Sequence, residues 1–149
     1  MKTIYVDNNA TTRVDPRVVD AMVPFFSELY GNPSSMHDFG GKVAHRIGEA
    51  REKIAGLVHA SPEEIIFTSC GTESDSTAIW ATVSSFPGKK HIITSRVEHP
   101  AVKNLYEHLA KKGYRVTFVP VDRQGNLDVE YLYGQLSDDT ALVSIMWAN

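Results

Sequence analysis

The residues able to do chemistry concentrate in two short stretches. In EIIFTSCGTESDSTAIW (residues 64–80) an apolar run leads into Ser69, Cys70, Gly71 and Thr72, with Glu73 and Asp75 close behind, and Cys70 is the single cysteine of the sequence. A strand that runs into Ser-Cys-Gly-Thr and then a helix sets free backbone N–H groups and hydroxyls at the positive end of that helix, which suits a phosphate. Gly71 lets the backbone approach closely, and Thr72 adds a hydroxyl donor. The same residues also make an ordinary helix cap of the Ser/Thr-x-x-acid kind, and taken alone they leave both readings open. Glu73 and Asp75 complement the helix dipole in either case, but the phosphate reading requires them to face away from the ligand. Neither GxxxxGK[ST] nor GxGxxG occurs, which sets nucleotide binding aside.

The second stretch is SRVEHPAV (95–102), where a predicted strand ends in Glu98-His99-Pro100 before the next helix. His99 is thereby expected on the same sheet edge as Thr72, as a site residue or as a plain loop cap. His45, His59 and His108 fall in or near helical stretches among charged neighbours and are expected to face solvent. No HExxH or paired Cys/His spacing calls for a metal. Residues 122–126 lack the alternating acids of a calcium loop and read as a turn. YVDNNATT (5–12) and YGNPSSMHDFG (30–40) are unusually crowded with amides and hydroxyls, although turn capping would use such side chains as well.

The elements that must position these residues follow from periodicity. Short β-rich runs at 65–68, 91–95, 115–119 and 141–146 alternate with helical segments at 72–84, 101–112 and 128–135, the pattern of a mostly parallel α/β sheet covered by helices. Upstream, Val43, Ile47, Ala50, Ile54 and Leu57 predict an amphipathic helix over 40–58. Another is expected over 16–26, with Asp15 as its cap and Pro16 in its first turn. The run at 141–148 reads as a buried parallel strand with no return helix after it, so the 149 residues are expected to be part of a longer chain. Ligands of open parallel sheets gather beyond the carboxyl ends of the strands.

Composition narrows the classes. A content of 42% hydrophobic and 22% charged residues is that of a folded globular protein, and a formal net charge of −3 with scattered lysines and arginines gives no electrostatic reason to bind nucleic acid or anionic membrane. The longest uncharged run, 76–88, is shorter than the ~18 apolar residues of a membrane span. One cysteine and an N-terminus without a leader pattern predict a cytoplasmic protein.

Taken in order, DNNATT, GNPSSMHDFG, FTSCGTESD, VEHPAV and SIMWAN resemble the motifs of the cysteine desulfurases, which are class V of the fold-type-I pyridoxal-phosphate enzymes, and the wording TSCGTESDSTAIW is most similar to the NifS-like branch. The resemblance spans the whole chain. It implies that residues 1–15 contribute to an active site and that 16–149 begin the large cofactor-binding domain. It also implies that Gly71 and Thr72 cradle the phosphate of pyridoxal 5′-phosphate, that His99 stacks on its ring and assists proton transfer, and that Asn8, Ala10, Thr11 and Asn149 face substrate. Cys70 matches a cradle position, and the sulfur-accepting cysteine, the Schiff-base lysine, the aspartate for the pyridine nitrogen and the carboxylate-binding arginine have no counterpart here. The activity so implied converts L-cysteine to L-alanine and passes sulfur to an enzyme cysteine as a persulfide. It further implies a homodimer and an iron–sulfur scaffold protein as acceptor. A selenocysteine lyase, an aminotransferase or a kynureninase is the alternative within the class, and a non-catalytic binding module the alternative outside it.

Overall fold

The protein is described by a computed structural model over residues 3–148, and it divides into two compact units between Phe67 and Thr68.

In the first unit, α1 (Pro16–Met22) starts where Asp15 accepts the Arg17 N–H at 2.8 Å and pairs with its guanidinium, also at 2.8 Å. The helix expected over 16–26 is in fact two, α1 and the single turn α2 (Pro24–Ser27), because Pro24 has no N–H to continue the ladder and its ring crowds the preceding turn. The long helix α3 (Asp38–Val58) begins two residues earlier than its apolar spacing shows, since His37 is its cap and Nδ1 accepts the Gly40 N–H at 3.1 Å. Val43 and Ala55 are buried on it, whereas Leu57 is 77% exposed, so the apolar stripe is only partly covered within this unit. The Asn-Pro loop folds against the first turn of α3. A Cβ on Gly40 would lie 2.4 Å from the Asn32 carbonyl oxygen and 2.9 Å from Ser35 Cβ, and this close approach requires glycine.

Residues 65–68, expected as a strand, join no ladder. Ile65 is extended, but its carbonyl accepts the Arg51 guanidinium of α3, and among the described residues of the first unit there is no strand to pair with it. An extended backbone becomes a strand only through a partner.

The second unit is the α/β part. Its sheet has the order β2 (Arg115–Val119), β1 (His91–Ser95), β3 (Thr140–Ser144), with both pairings parallel. Helices α4 (Gly71–Ser85), α5 (Pro100–Lys111) and α6 (Val129–Gln135) connect and cover it: α4 packs on α5 and β3, while α5 and α6 pack on β2. Ile79 and Val83 of α4, Val102, Tyr106 and Leu109 of α5 and Ile92 of β1 form the core. On α5 Tyr106 is fully buried, and Leu105 beside it is half-buried against the same core. The turn after β2 is closed by Asp122, whose carboxylate accepts the Gln124 and Asn126 N–H groups, with Gly125 at φ 87°. No side chain there is arranged as a cation ligand set among the described residues.

At the amino end of the sheet His91 is fully buried, with Nδ1 2.9 Å from Thr140 Oγ1 and Nε2 2.9 Å from Thr117 Oγ1, so one ring ties the central strand to both neighbours. Burial holds its pKa below the ordinary 6.5, the Arg115 charge adds to this, and Asp139 opposes it. The unfolded chain therefore binds the proton more readily, and the stabilisation by neutral His91 is present above about pH 6.5 and lost as pH falls through the lower folded value.

Two measurements check these features. Unfolding midpoints between pH 8 and pH 5 should fall below pH ~6.5 in the wild type and fall less steeply in His91→Leu. Gly40→Ala should cost roughly 1–3 kcal/mol by overpacking, read as a lowered denaturant midpoint, and an unchanged midpoint would mean that the loop gives way.

Candidate functional site

Helix α4 reaches the amino end of β1 through residues 86–90, so it runs back along the sheet and its own N-terminus lies toward the carboxyl ends of the strands. Asp75 of α4 lines one shallow cavity together with Ser144 at the end of β3 and Ile145 beyond it, which fixes that placement. His99 follows the end of β1 by four residues and caps α5. Gly71, Thr72 and His99 thus share the carboxyl edge of the sheet, as expected.

The start of α4 is unusual in its capping. The N-cap is Cys70, which offers no oxygen, and the first N–H with a backbone acceptor is that of Ser74, 3.1 Å from the Cys70 carbonyl. Glu73 does not point outward over the helix end. Its Oε2 turns back to accept the N–H and the hydroxyl of Ser69, each at 2.7 Å, and these bonds hold the carboxyl below its usual range. The acid of the expected cap motif is therefore spent one residue before the N-cap. The amides of Gly71 and Thr72 and the Thr72 hydroxyl have no oxygen partner among the described residues. Nothing lies within 4 Å of a Cβ placed on Gly71, so the space above the helix end is open. Free amides, a hydroxyl and open space at a positive helix end fit a phosphate group.

Cys70 is exposed. The N–H of Glu73 does most to lower the pKa of its thiol, followed by the Ser69 hydroxyl 3.7 Å away and the Thr72 N–H, against partial desolvation and the Glu73 charge. The positive helix end thus outweighs the Glu73 charge at this sulfur.

His99 Nδ1 accepts the Ala101 N–H at 3.1 Å. The proton of the neutral ring is consequently on Nε2, which has no partner among the described residues, and the ring orientation is set by its own helix. The residue before it, Glu98, was quoted in the motif but given no role. Its Oε1 accepts both the Ser95 hydroxyl at 2.7 Å and the Met146 N–H at 2.8 Å. The only sequence sign of this was an acid placed directly between a strand end and a helix cap.

Asn8, Ala10 and Thr11 lie in the first unit, in an exposed turn where the Asp7 carbonyl accepts the N–H groups of Ala10 at 3.2 Å and Thr11 at 3.4 Å, and Asn8 Oδ1 accepts the Thr12 hydroxyl at 3.3 Å. Asn149 lies outside the described residues.

An open parallel sheet whose carboxyl edge carries a free helix N-terminus and an oriented histidine defines an α/β protein built around a phosphorylated ligand. Comparison with known proteins makes this specific. The aminotransferase class-V family matches residues 4–149, and the chain belongs to that family, whose enzymes use pyridoxal phosphate. Over all 149 residues it is 52% identical to a cysteine desulfurase of Trichormus azollae, and it is 53% identical, over an alignment of 150 residues, to the cysteine desulfurase NifS of Azotobacter vinelandii. In each case the match takes in 100% of this chain and 37% of the relative, so the chain spans little more than a third of the length of these proteins. Among solved structures, a NifS-like protein superposes with a TM-score of 0.90 at 46% identity, covering 96% of this chain and 40% of that one. DndA from Streptomyces lividans gives 0.81 at 40% identity over 98% of this chain and 41% of its own. The fold is that of the fold-type-I pyridoxal-phosphate enzymes.

The thiol chemistry can be checked directly. The rate of Cys70 alkylation should rise with pH about a midpoint below the ~8.5 of a free thiol, and saturating inorganic phosphate should move that midpoint upward. A midpoint at or above the free-thiol value would show that the helix end does not act on the sulfur.

Proposed function

We propose that the chain supplies the first part of the large cofactor-binding domain of a cysteine desulfurase, with residues 1–15 contributing to the active site. The enzyme converts L-cysteine and an enzyme thiol to L-alanine and an enzyme persulfide. The observation that carries this reading is the open end of α4 on the same sheet edge as His99, in a chain so similar to cysteine desulfurases along its whole length. Gly71, Thr72 and their amides hold the cofactor phosphate. His99 orients the cofactor ring, and its Nε2, left free by the bond at Nδ1, holds or passes a proton. Bound pyridoxal phosphate supplies an electron sink for the charge left when the substrate Cα–H bond breaks. Asn8, Ala10, Thr11 and Asn149 face the substrate. Cys70, already engaged at the helix end that takes the phosphate, is a cradle residue and not the sulfur acceptor.

The protein acts as a cytoplasmic homodimer and delivers its sulfur to an iron–sulfur scaffold protein. No described helix is long and apolar enough to cross a membrane.

The test is to add L-cysteine to the intact, cofactor-loaded protein, measure alanine, and alkylate and map any persulfide by mass. Alanine with label away from Cys70, retained in Cys70→Ala, is the expected result. No alanine ends the reading, and label on Cys70 moves the sulfur-accepting centre to the start of α4. Thr72→Ala should weaken cofactor retention roughly tenfold or more, since a hydrogen bond to a charged group contributes about 1.5–3 kcal/mol. Equilibrium dialysis measures this, and unchanged affinity would remove Thr72 from the cradle.

A further inference from the structure

The carboxyl ends of β1 and β3 are joined by a side chain. The last ladder pair between them is Thr94 with Ser144. Beyond it the backbone of β1 turns toward the other neighbour, where the Arg96 N–H donates to the Val119 carbonyl of β2 at 3.1 Å. Met146 lies two residues past β3, and its N–H goes to a side chain: Glu98 Oε1 takes the Met146 N–H at 2.8 Å and the hydroxyl of Ser95, the last residue of β1, at 2.7 Å. The Ser95 oxygen in turn accepts the Val97 N–H at 3.3 Å. Both bonds to the carboxylate are charge-assisted, the stronger kind. One oxygen thus clasps three pieces of chain, namely the end of β1, the turn at 96–98 and the segment leaving β3. The next residue along is His99, whose ring is aimed by the Ala101 N–H.

We propose that Glu98 is the positioning residue of this site: its carboxylate locks the turn that presents His99 to the segment leaving β3, so that the histidine and that segment are held as one body. The inference rests on the functional reading for its effect on turnover and on geometry alone for the clasp. Glu98 touches neither reacting atoms nor ligand in this scheme. It acts through His99.

Hydrogen exchange resolved to single amides in the intact protein tests the clasp without any activity. In Glu98→Ala the Met146 and Ala101 amides should both exchange about tenfold or more faster, the scale of a lost charge-assisted bond, while the Ile93 amide within β1 stays protected. Glu98→Gln keeps an acceptor oxygen but loses the charge, and should give a smaller parallel change at both amides. A faster Met146 amide with an unchanged Ala101 amide in either variant would overturn the proposal, because the clasp would then not reach His99. Should Glu98→Ala fail to fold, Glu98→Gln decides by the same comparison. With cofactor and L-cysteine, Glu98→Ala should lower kcat in the wild-type background and cause little further loss in a His99→Ala background, the non-additivity of residues acting as a unit. Equal fold-losses in the two backgrounds would reduce Glu98 to a structural residue. Absence of alanine release from the wild type would defeat the functional reading, and the exchange result would still decide the clasp.

Discussion

Strand β1 has no exposed residue and a neighbour on each side, so a polar side chain it carries reaches no water and needs a partner brought to it. An unanswered buried donor or acceptor costs about 1–3 kcal/mol, which makes this strand the strictest constraint on the sheet. At the amino end the answer is His91, whose two nitrogens meet a threonine on each neighbouring strand. At the carboxyl end it is the Ser95 hydroxyl on Glu98. Between them Thr94 Oγ1 has no partner among the described residues, and neither does the Tyr106 hydroxyl. Burial pushes the Tyr106 phenol up, Ser144 opposes this from beyond hydrogen-bond geometry, and the Glu98 and Asp75 charges add to it.

The two ends of the sheet use opposite chemistry. The amino end is closed: the Asp139 carboxylate accepts the Lys90 N–H at 2.8 Å, its carbonyl accepts the His91 N–H at 3.1 Å, and the imidazole is kept neutral by burial. The carboxyl end keeps donors in reserve. Glu73 folds back onto Ser69 and leaves the first α4 amides without an oxygen partner, and among the described residues the Cys70 sulfur draws on them. A thiol is a weak acceptor, so a phosphate dianion competes with it easily.

Much of this was legible in the residues. The alternation of β-branched runs with helical spacing placed α4, α5, α6 and all three strands within a residue or two, because these segments pair with each other locally and each has its own punctuation. The start of α4 and His99 share one edge because α4 runs back along the sheet to enter β1 at its amino end, and the turn from β1 into α5 opens at the carboxyl end. What failed had tertiary causes. Residues 65–68 have strand composition but no strand beside them, and composition cannot supply a partner. The break at Pro24 was written in the sequence, but the start signals at Asp15 and Pro16 fix only where a helix begins and not how far it runs. The role of Glu98 depends on Met146, 48 residues away, and no local pattern carries a contact at that distance.

The double tie of His91 also sets an order of assembly. Its partner on β2 is 26 residues away and its partner on β3 is 49 residues away. Doubling a loop adds only about 0.6 kcal/mol of closure entropy, so energy alone separates the two pairings little. Vectorial synthesis separates them completely: a growing chain completes Thr117 well before Thr140, and until then β1 has a partner on one side, an unpaired ladder on the other and an imidazole satisfied at one nitrogen. In that interval the most buried strand of the finished unit is an edge strand, the kind that pairs with foreign chains. The ribosome must add a further 23 residues after Thr117 before Thr140 can close that edge.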